Sequence, residues 1–281
     1  MVTVMRYVNQ VLLITGDIMV DFFDLYLSED CPYGDETTEL LGITGKGRLR
    51  IMSREHGVAA CMDDLSEFYR RNGLEVVSSL GNGAEFNAHD VIFEAQGELP
   101  VLFRLWRVSQ TFLSLVCAIA SNTRFSVELA HKVNPDLIIA TSRKTHPGFR
   151  KYELKAVKTG GGHHHRNSLS DSVLLSQNHL NIIEDIGRLR STRKIEIEPR
   201  NREEAYKYAP LADVLLLDHF IPEELESLVP ELRSLNQGLE VAVGGIDLKR
   251  VAEYARFVDI IVTSELYYSK PLDLTAKIRK L

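Results

Sequence analysis

The sequence predicts an α/β protein in two parts, a small N-terminal α/β domain and a larger parallel sheet curled into a barrel. Three observations predict it. Up to about Phe103 the chain has short alternating stretches broken by turn signals. From about Pro135 onward, short apolar runs alternate with helical patterns, the rhythm of right-handed βαβ units. Nearly every one of those later runs is followed at once by a polar residue or a glycine pair. In α/β barrels the carboxyl ends of the strands form the site, so this placement points to function.

The first nineteen residues, MVTVMRYVNQVLLITGDIM, are apolar but contain Gln10 and no small-residue cleavage site, so a signal peptide is not expected. Residues 1–18 are read as an extension ahead of a second possible start at Met19. Residues 19–106 form the first domain. Phe22–Glu29 is an amphipathic helix ending in the turn-rich EDCPYGD. Arg48–Met52 alternates as a strand, and Asp63–Asn72 places Leu65, Phe68 and Tyr69 on one helical face. Leu80-Gly81-Asn82-Gly83 is a turn before Val91-Ile92-Phe93. A long helical zone from about Arg104 to Val133 follows, with a break expected near Ala120–Asn122. Residues 107–281 form the barrel domain, whose last segment packs back on the first. Its strands are expected at 137–140, 173–175, 195–197, 214–217, 241–243 and 260–262, with helices around 150–158, 201–208, 222–235 and 247–256.

Composition narrows the function. The 281 residues suffice for a real core, and a net charge of −6 argues against nucleic acid. Cys31, Cys61 and Cys117 lie far apart without metal or redox spacing and read as reduced thiols of a cytoplasmic protein. No apolar run is expected to reach membrane-spanning length. Against the acidic background, Arg143-Lys144 after one strand and His165-Arg166 after Gly160-Gly161-Gly162 form a local cationic choice suited to a multiply anionic small molecule. The glycine run is expected to let backbone N–H groups approach the anion. The adjacent His163, His164 and His165 cannot all face one ion, which disfavours a metal site there.

Glu198 and Asp218 close two other strands. They could be an acid/base pair, could hold Mg²⁺ on a diphosphate or bind sugar hydroxyls, or could simply bond neighbouring loops. Gly244-Gly245 before a helical pattern suits a phosphate, although a tight turn explains it equally well.

Taken together, SRKTHPG, GGGHHHR with LSDSVLLSQNH, the strand EIE with Glu198, LLLDHF with Asp218, and VGGI resemble quinolinate phosphoribosyltransferase over most of the chain from about Glu29. The resemblance implies an N-terminal α/β sandwich and a partly open parallel α/β barrel, the type II phosphoribosyltransferase arrangement. It implies a homodimer or higher homo-oligomer and Mg²⁺-dependent use of phosphoribosyl pyrophosphate. Carried over by position, Arg143, His165 and Arg166 would hold acceptor carboxylates, and Arg107 would be lent by the other subunit. Lys144 would touch phosphoribosyl pyrophosphate, Glu198 and Asp218 would hold its ribose and metal, and Gly244 and Gly245 would bind the 5-phosphate.

The sequence also departs from that pattern. Ser176 stands where a lysine is expected, Val243 where a serine precedes the glycine pair, and Ser264 and Tyr268 where glycine and histidine are expected. The changes at Val243 and Ser264 are expected to affect phosphate binding, Ser264 becoming part of that site, and the change at Ser176 removes an acceptor cation. EDCPYGDETT, Trp106 before Arg107, and VTSELYYSKPLD resemble the ModD-type proteins associated with molybdenum transport. The expected function is therefore ribosyl 5-phosphate transfer to an unidentified carboxylated aromatic acceptor. The alternatives are a true quinolinate phosphoribosyltransferase and a non-catalytic anion-binding accessory of molybdenum uptake.

Overall fold

In a computed structural model, residues 21–281 are described, Glu184 and Arg188 excepted. The extension expected over 1–18 lies outside the described residues. Asp21 starts helix α1 (Phe22–Asp30) by accepting the Phe23 N–H at 2.8 Å. Asp35 does the same for α2 (Glu36–Leu40) through Thr38 N–H. Strand β1 (Lys46–Ser53) buries Leu49 and Ile51 and turns Arg48 and Arg50 outward. After β2 (Gly57–Val58), helix α3 (Met62–Arg71) buries Leu65, Phe68 and Tyr69. Strands β3 (Glu75–Ser79), β4 (Glu85–Phe86) and β5 (Val91–Glu98) complete this half. Strand β3 escaped the sequence reading because it is a mostly exposed edge without apolar alternation.

The four-stranded antiparallel sheet has the order β13-β1-β5-β3, where β13 (Leu274–Lys280) is the returning C-terminal segment. One sheet face packs on α3 and on α4 (Leu99–His131) through Leu49, Ile51, Phe93, Leu105 and Phe112. Among the described residues no element covers the other face.

Helix α4 runs unbroken for 33 residues, correcting the expected interruption at Ala120–Asn122. The polar residues there do not end the helix. Ser121, Thr123 and Ser126 donate their hydroxyls to the carbonyls of Cys117, Ile119 and Asn122 within it. A second correction follows, since this one helix is long and apolar enough to span a membrane by length and composition. Most of its apolar stretch, 61 %, is buried inside the fold.

The second half contains β6 (Ile138–Thr141), α5 (Arg150–Thr159), β7 (His163–His164), β8 (Val173–Leu175), α6 (Gln177–Leu180), β9 (Ile195–Ile197), α7 (Arg202–Tyr208), β10 (Val214–Asp218), α8 (Pro222–Leu235), β11 (Glu240–Gly244), α9 (Val251–Tyr254) and β12 (Ile260–Thr263). All seven strands are parallel, in the order β7-β6-β12-β11-β10-β9-β8. The sheet therefore curls in chain order and stays open between β7 and β8. Leu215, Leu217, Val241, Val243 and Ile261 pack outward against the helices. Val214, Leu216, Ala242 and Val262 fill the interior. This two-sided burial is why these strands read as nearly continuous apolar runs. Strand β7 has no such signal, being two histidines.

Candidate active site

Past Thr141 the chain enters a loop carrying Arg143 and Lys144, and side chains pin its backbone. Tyr267 donates its hydroxyl to Ser142 O at 3.0 Å, and Tyr268 donates to Lys144 O at 3.1 Å. Arg150 donates to Thr145 Oγ1 and Arg143 O, and reaches Asn167 O in the neighbouring loop. Glu153, fully buried, accepts the His146 N–H, and its second oxygen lies 2.5 Å from His146 Nδ1. Burial pushes the Glu153 carboxyl above its usual range against the pull of His146.

Strand β7 delivers His165 and Arg166. His165 Nε2 lies 2.7 Å from Glu196 Oε1, and both side chains are about nine-tenths buried. Burial, and then the like charge of Arg143, hold the Arg166 guanidinium below its ordinary range. Among the described residues no carboxylate forms an ion pair with Arg143, Lys144 or Arg166. Three cations held together without internal partners are poised for a ligand anion.

Opposite them stand the carboxylates. Glu198 follows β9 and Asp218 ends β10. Burial raises the Glu198 carboxyl first, and repulsion from Asp218 and Glu196 raises it further. Asp218 Oδ2 lies 3.4 Å from His219 Nε2. The glycine pair at the end of β11 leaves space that side chains of Asp218 and His219 occupy. A Cβ on Gly244 would sit 2.5 Å from Asp218 Oδ1, and one on Gly245, at φ +68°, 2.4 Å from His219 Nδ1. Glu265 accepts the Leu248 N–H just beyond the pair.

Arg143, Lys144, His165, Arg166, Glu198, Asp218, Gly244, Gly245 and Ser264 line one cavity of about 520 Å³, together with Tyr268 and His219. Arg107 does not line it. This exposed residue stacks its guanidinium 4.1 Å from the Trp106 ring centre on α4. Two expectations need correction. Gly160, Gly161 and Gly162 offer no anion cradle, because their N–H groups bond Ala156, Lys158 and Val157 carbonyls as α5 ends. Val243 points outward into the helix layer, so its side chain takes nothing from the cavity. Ser176, for its part, lies outside the cavity lining with its hydroxyl 2.8 Å from His179 Nδ1, and brings no cation to the site.

Glu196 was not picked out from the sequence, and His219 stood out only as the residue following Asp218 at a strand end. Strand alternation could have found Glu196, which shares the inward parity of Glu198. Among the described residues no group of three or more potential ligands is poised for a metal ion.

This architecture can be set beside known proteins. The model for the quinolinate phosphoribosyl transferase N-terminal domain matches residues 35–117, and that for its C-terminal domain matches residues 119–277. The chain belongs to the quinolinate phosphoribosyl transferase family. Its relatives carry two kinds of name. It is 33 % identical over 258 residues to a probable nicotinate-nucleotide pyrophosphorylase (carboxylating) of Archaeoglobus fulgidus, covering 88 % of this chain and 99 % of that one. It is 32 % identical over 241 residues to a putative pyrophosphorylase ModD of Rhodobacter capsulatus, covering 82 % and 93 %. Among solved structures, the nicotinate-nucleotide pyrophosphorylase of Ehrlichia chaffeensis superimposes with a TM-score of 0.84 at 24 % identity, covering 93 % of this chain and all of that one. NadC from Streptococcus pyogenes gives 0.82 at 23 %, covering 92 % and 96 %. These likenesses match the predicted domain plus open barrel. The family consists of pentosyltransferases that depend on phosphoribosyl pyrophosphate.

Proposed function

We propose that this protein is a phosphoribosyltransferase of the ModD type, which transfers ribose 5-phosphate to a carboxylated aromatic acceptor other than quinolinate. The observation that carries this reading is the one cavity where Arg143, Lys144 and Arg166, in no ion pair among the described residues, face Glu198, Asp218 and Gly244-Gly245. An acceptor ring nitrogen forms its bond to ribose C1 as the C1–oxygen bond breaks, and pyrophosphate leaves with that electron pair. No protein nucleophile is needed. Lys144 meets the leaving diphosphate as a point charge, and Glu198 and Asp218 face the ribose as positive charge develops on it. Gly244 and Gly245 leave room for the 5-phosphate beside Ser264. Arg143, Arg166 and His165, held by Glu196, orient the acceptor carboxylate.

The two carboxylates fit a hard divalent cation. Both offer oxygen, and burial with their mutual repulsion raises Glu198, an unfavourable pairing that a cation would relieve. Mg²⁺ held by Glu198 and Asp218 would neutralise charge on the diphosphate.

Arg107 lies outside its own cavity, which supports a homodimer in which it reaches the partner's. Mixing Arg107→Ala with Lys144→Ala protein tests this. Shared sites restore roughly a quarter of wild-type activity by statistical pairing in a two-fold dimer. No recovery, with subunit exchange demonstrated by mass spectrometry, contradicts a lent arginine.

Ser176 carries the choice of acceptor. A neutral serine turned toward His179 supplies no charge to a second carboxylate. One charge-assisted contact is worth about 1.5–3 kcal/mol, roughly ten- to a hundredfold in affinity. Pyrophosphate release measured with phosphoribosyl pyrophosphate and a panel of pyridine and pterin carboxylates tests the reading. Quinolinate is expected to be poor, and Ser176→Lys to gain quinolinate binding. The similarity to the A. fulgidus pyrophosphorylase favours the second reading, a true quinolinate enzyme. Wild-type turnover of quinolinate at about 10⁴ M⁻¹s⁻¹ or above would establish that one instead. Tight acceptor binding without pyrophosphate release from any acceptor would favour a non-catalytic binding module.

A further inference from the structure

The face of the N-terminal sheet that no described element covers carries a second concentration of positive charge. Arg48 and Arg50 of β1 stand there with Lys277 and Arg279 of β13. The register sets Arg48 directly opposite Arg279 and Arg50 directly opposite Lys277. Directly opposed like charges destabilise an antiparallel pair, and here two successive same-face positions repeat the fault. Lys280 adds a fifth cation to the same concavity, of about 320 Å³.

Among the described residues one side-chain carboxylate, Glu94, pairs with cations of this concavity, and only with Arg48 and Arg50. It is almost fully buried, 2.8 Å from Arg50 Nε and 3.1 Å from Arg48 Nη1. Gln96 accepts from Arg48 Nη2 at 2.7 Å and in turn donates to Glu75. Glu94 and Gln96 thus hold the two arginines from the β5 side, where neither neutralises β13. Arg48 Nε is buried without a hydrogen-bond partner. Among the described residues Lys277, Arg279 and Lys280 form no ion pair.

A solvated charged face does not need opposed like charges, a buried carboxylate behind them or an orphaned guanidinium nitrogen. A bound polyanion explains the opposed charges and the orphaned nitrogen, because it offsets the repulsion between strands and supplies the missing acceptors. We propose that this concavity is a binding site, separate from the barrel mouth, for a small molecule of the polyphosphate class. Arginine forks and lysine point charges stand on strand positions about 5 Å apart across the pair, and their long side chains can converge on a chain of linked phosphates. The inference does not depend on the reaction assigned to the mouth.

The test uses inorganic tripolyphosphate as probe. It is titrated calorimetrically into Lys144→Ala/Arg166→Ala protein, in which the mouth is weakened, and into the same protein with Lys277→Gln/Arg279→Gln added. The first protein is expected to bind one tripolyphosphate per chain. The added substitutions are expected to weaken that binding at least tenfold, the effect of one lost charge-assisted contact. Removing the opposed charges should leave the ligand-free melting temperature unchanged or higher, so a folding defect is distinguishable. Absence of binding in the first protein, or equal binding in both, overturns the proposal. So does dissociation of a ligand-free oligomer by the sheet substitutions, which would make this face an interface between copies.

Discussion

Two glycine runs in this chain look alike in sequence and do opposite work. Gly160-Gly161-Gly162 lies between basic residues, and Gly244-Gly245 follows a buried strand. The first closes α5 against α4. A Cβ at Gly160 would meet the Ala120 carbonyl at 2.5 Å and Thr123 Cβ at 2.6 Å, both parts of the central helix. Its N–H groups are used within the helix end. The second run lies beside Asp218 and His219 at the cavity. A glycine near cations is therefore no evidence of a cradle until its N–H groups are accounted for.

Two substitutions sharpen that contrast. Gly160→Ala forces a methyl group against the backbone of α4, and overpacking of this kind costs about 1–3 kcal/mol. A clearly lowered melting temperature is expected, with unchanged affinity for phosphoribosyl pyrophosphate in the folded fraction. An affinity loss without a stability loss would break the assignment. Gly245→Ala should do the reverse. The left-handed backbone costs an alanine about 1–2 kcal/mol, and the nearest obstruction is the exposed His219 ring, which can move. Stability should fall modestly while phosphoribosyl pyrophosphate affinity falls roughly tenfold, the loss of about one hydrogen-bonded contact. Unaltered affinity would remove the glycine pair from the site.

The smallest effect concerns pH. Burial and the neighbouring carboxylates raise Glu198 in the folded chain, so the folded state holds this proton more tightly than the unfolded state. Its contribution to stability is present when protonated and lost as pH rises through the folded pKa. Ligand binding runs the other way, because a cation-assisted diphosphate site needs the carboxylate ionised. Affinity is therefore expected to decline as pH falls toward that raised value, above the ordinary glutamate range. Glu198→Gln should flatten this part of the profile. A wild-type profile that is already flat there contradicts the role.

Much of this was legible in the sequence because barrel topology is repetitive. Strands buried on both faces announce themselves, and the residue after each lands at the mouth. That rule brought Lys144, Glu198 and Asp218 together from distant positions. It failed where local composition misled. His163-His164 has no apolar signal yet forms β7, and the Ala120–Asn122 stretch looked like a break because hydroxyl back-bonding is invisible without coordinates. Parity was available but unused. It would have put Glu196 inward with Glu198 and Val243 outward. The Glu153–His146 and Arg150 contacts that hold the cationic loop join residues whose pairing no motif encodes.

The most direct test is calorimetry of phosphoribosyl pyrophosphate with Mg²⁺ on the wild-type protein, Lys144→Ala and Asp218→Asn. Removing one partner of a desolvated charge contact costs about 2–5 kcal/mol, a roughly thirtyfold or greater loss of affinity. Mg²⁺-dependent binding to the wild type, weakened to that extent in both variants, is the predicted result. Equal binding by all three proteins would contradict the assignment of the barrel mouth.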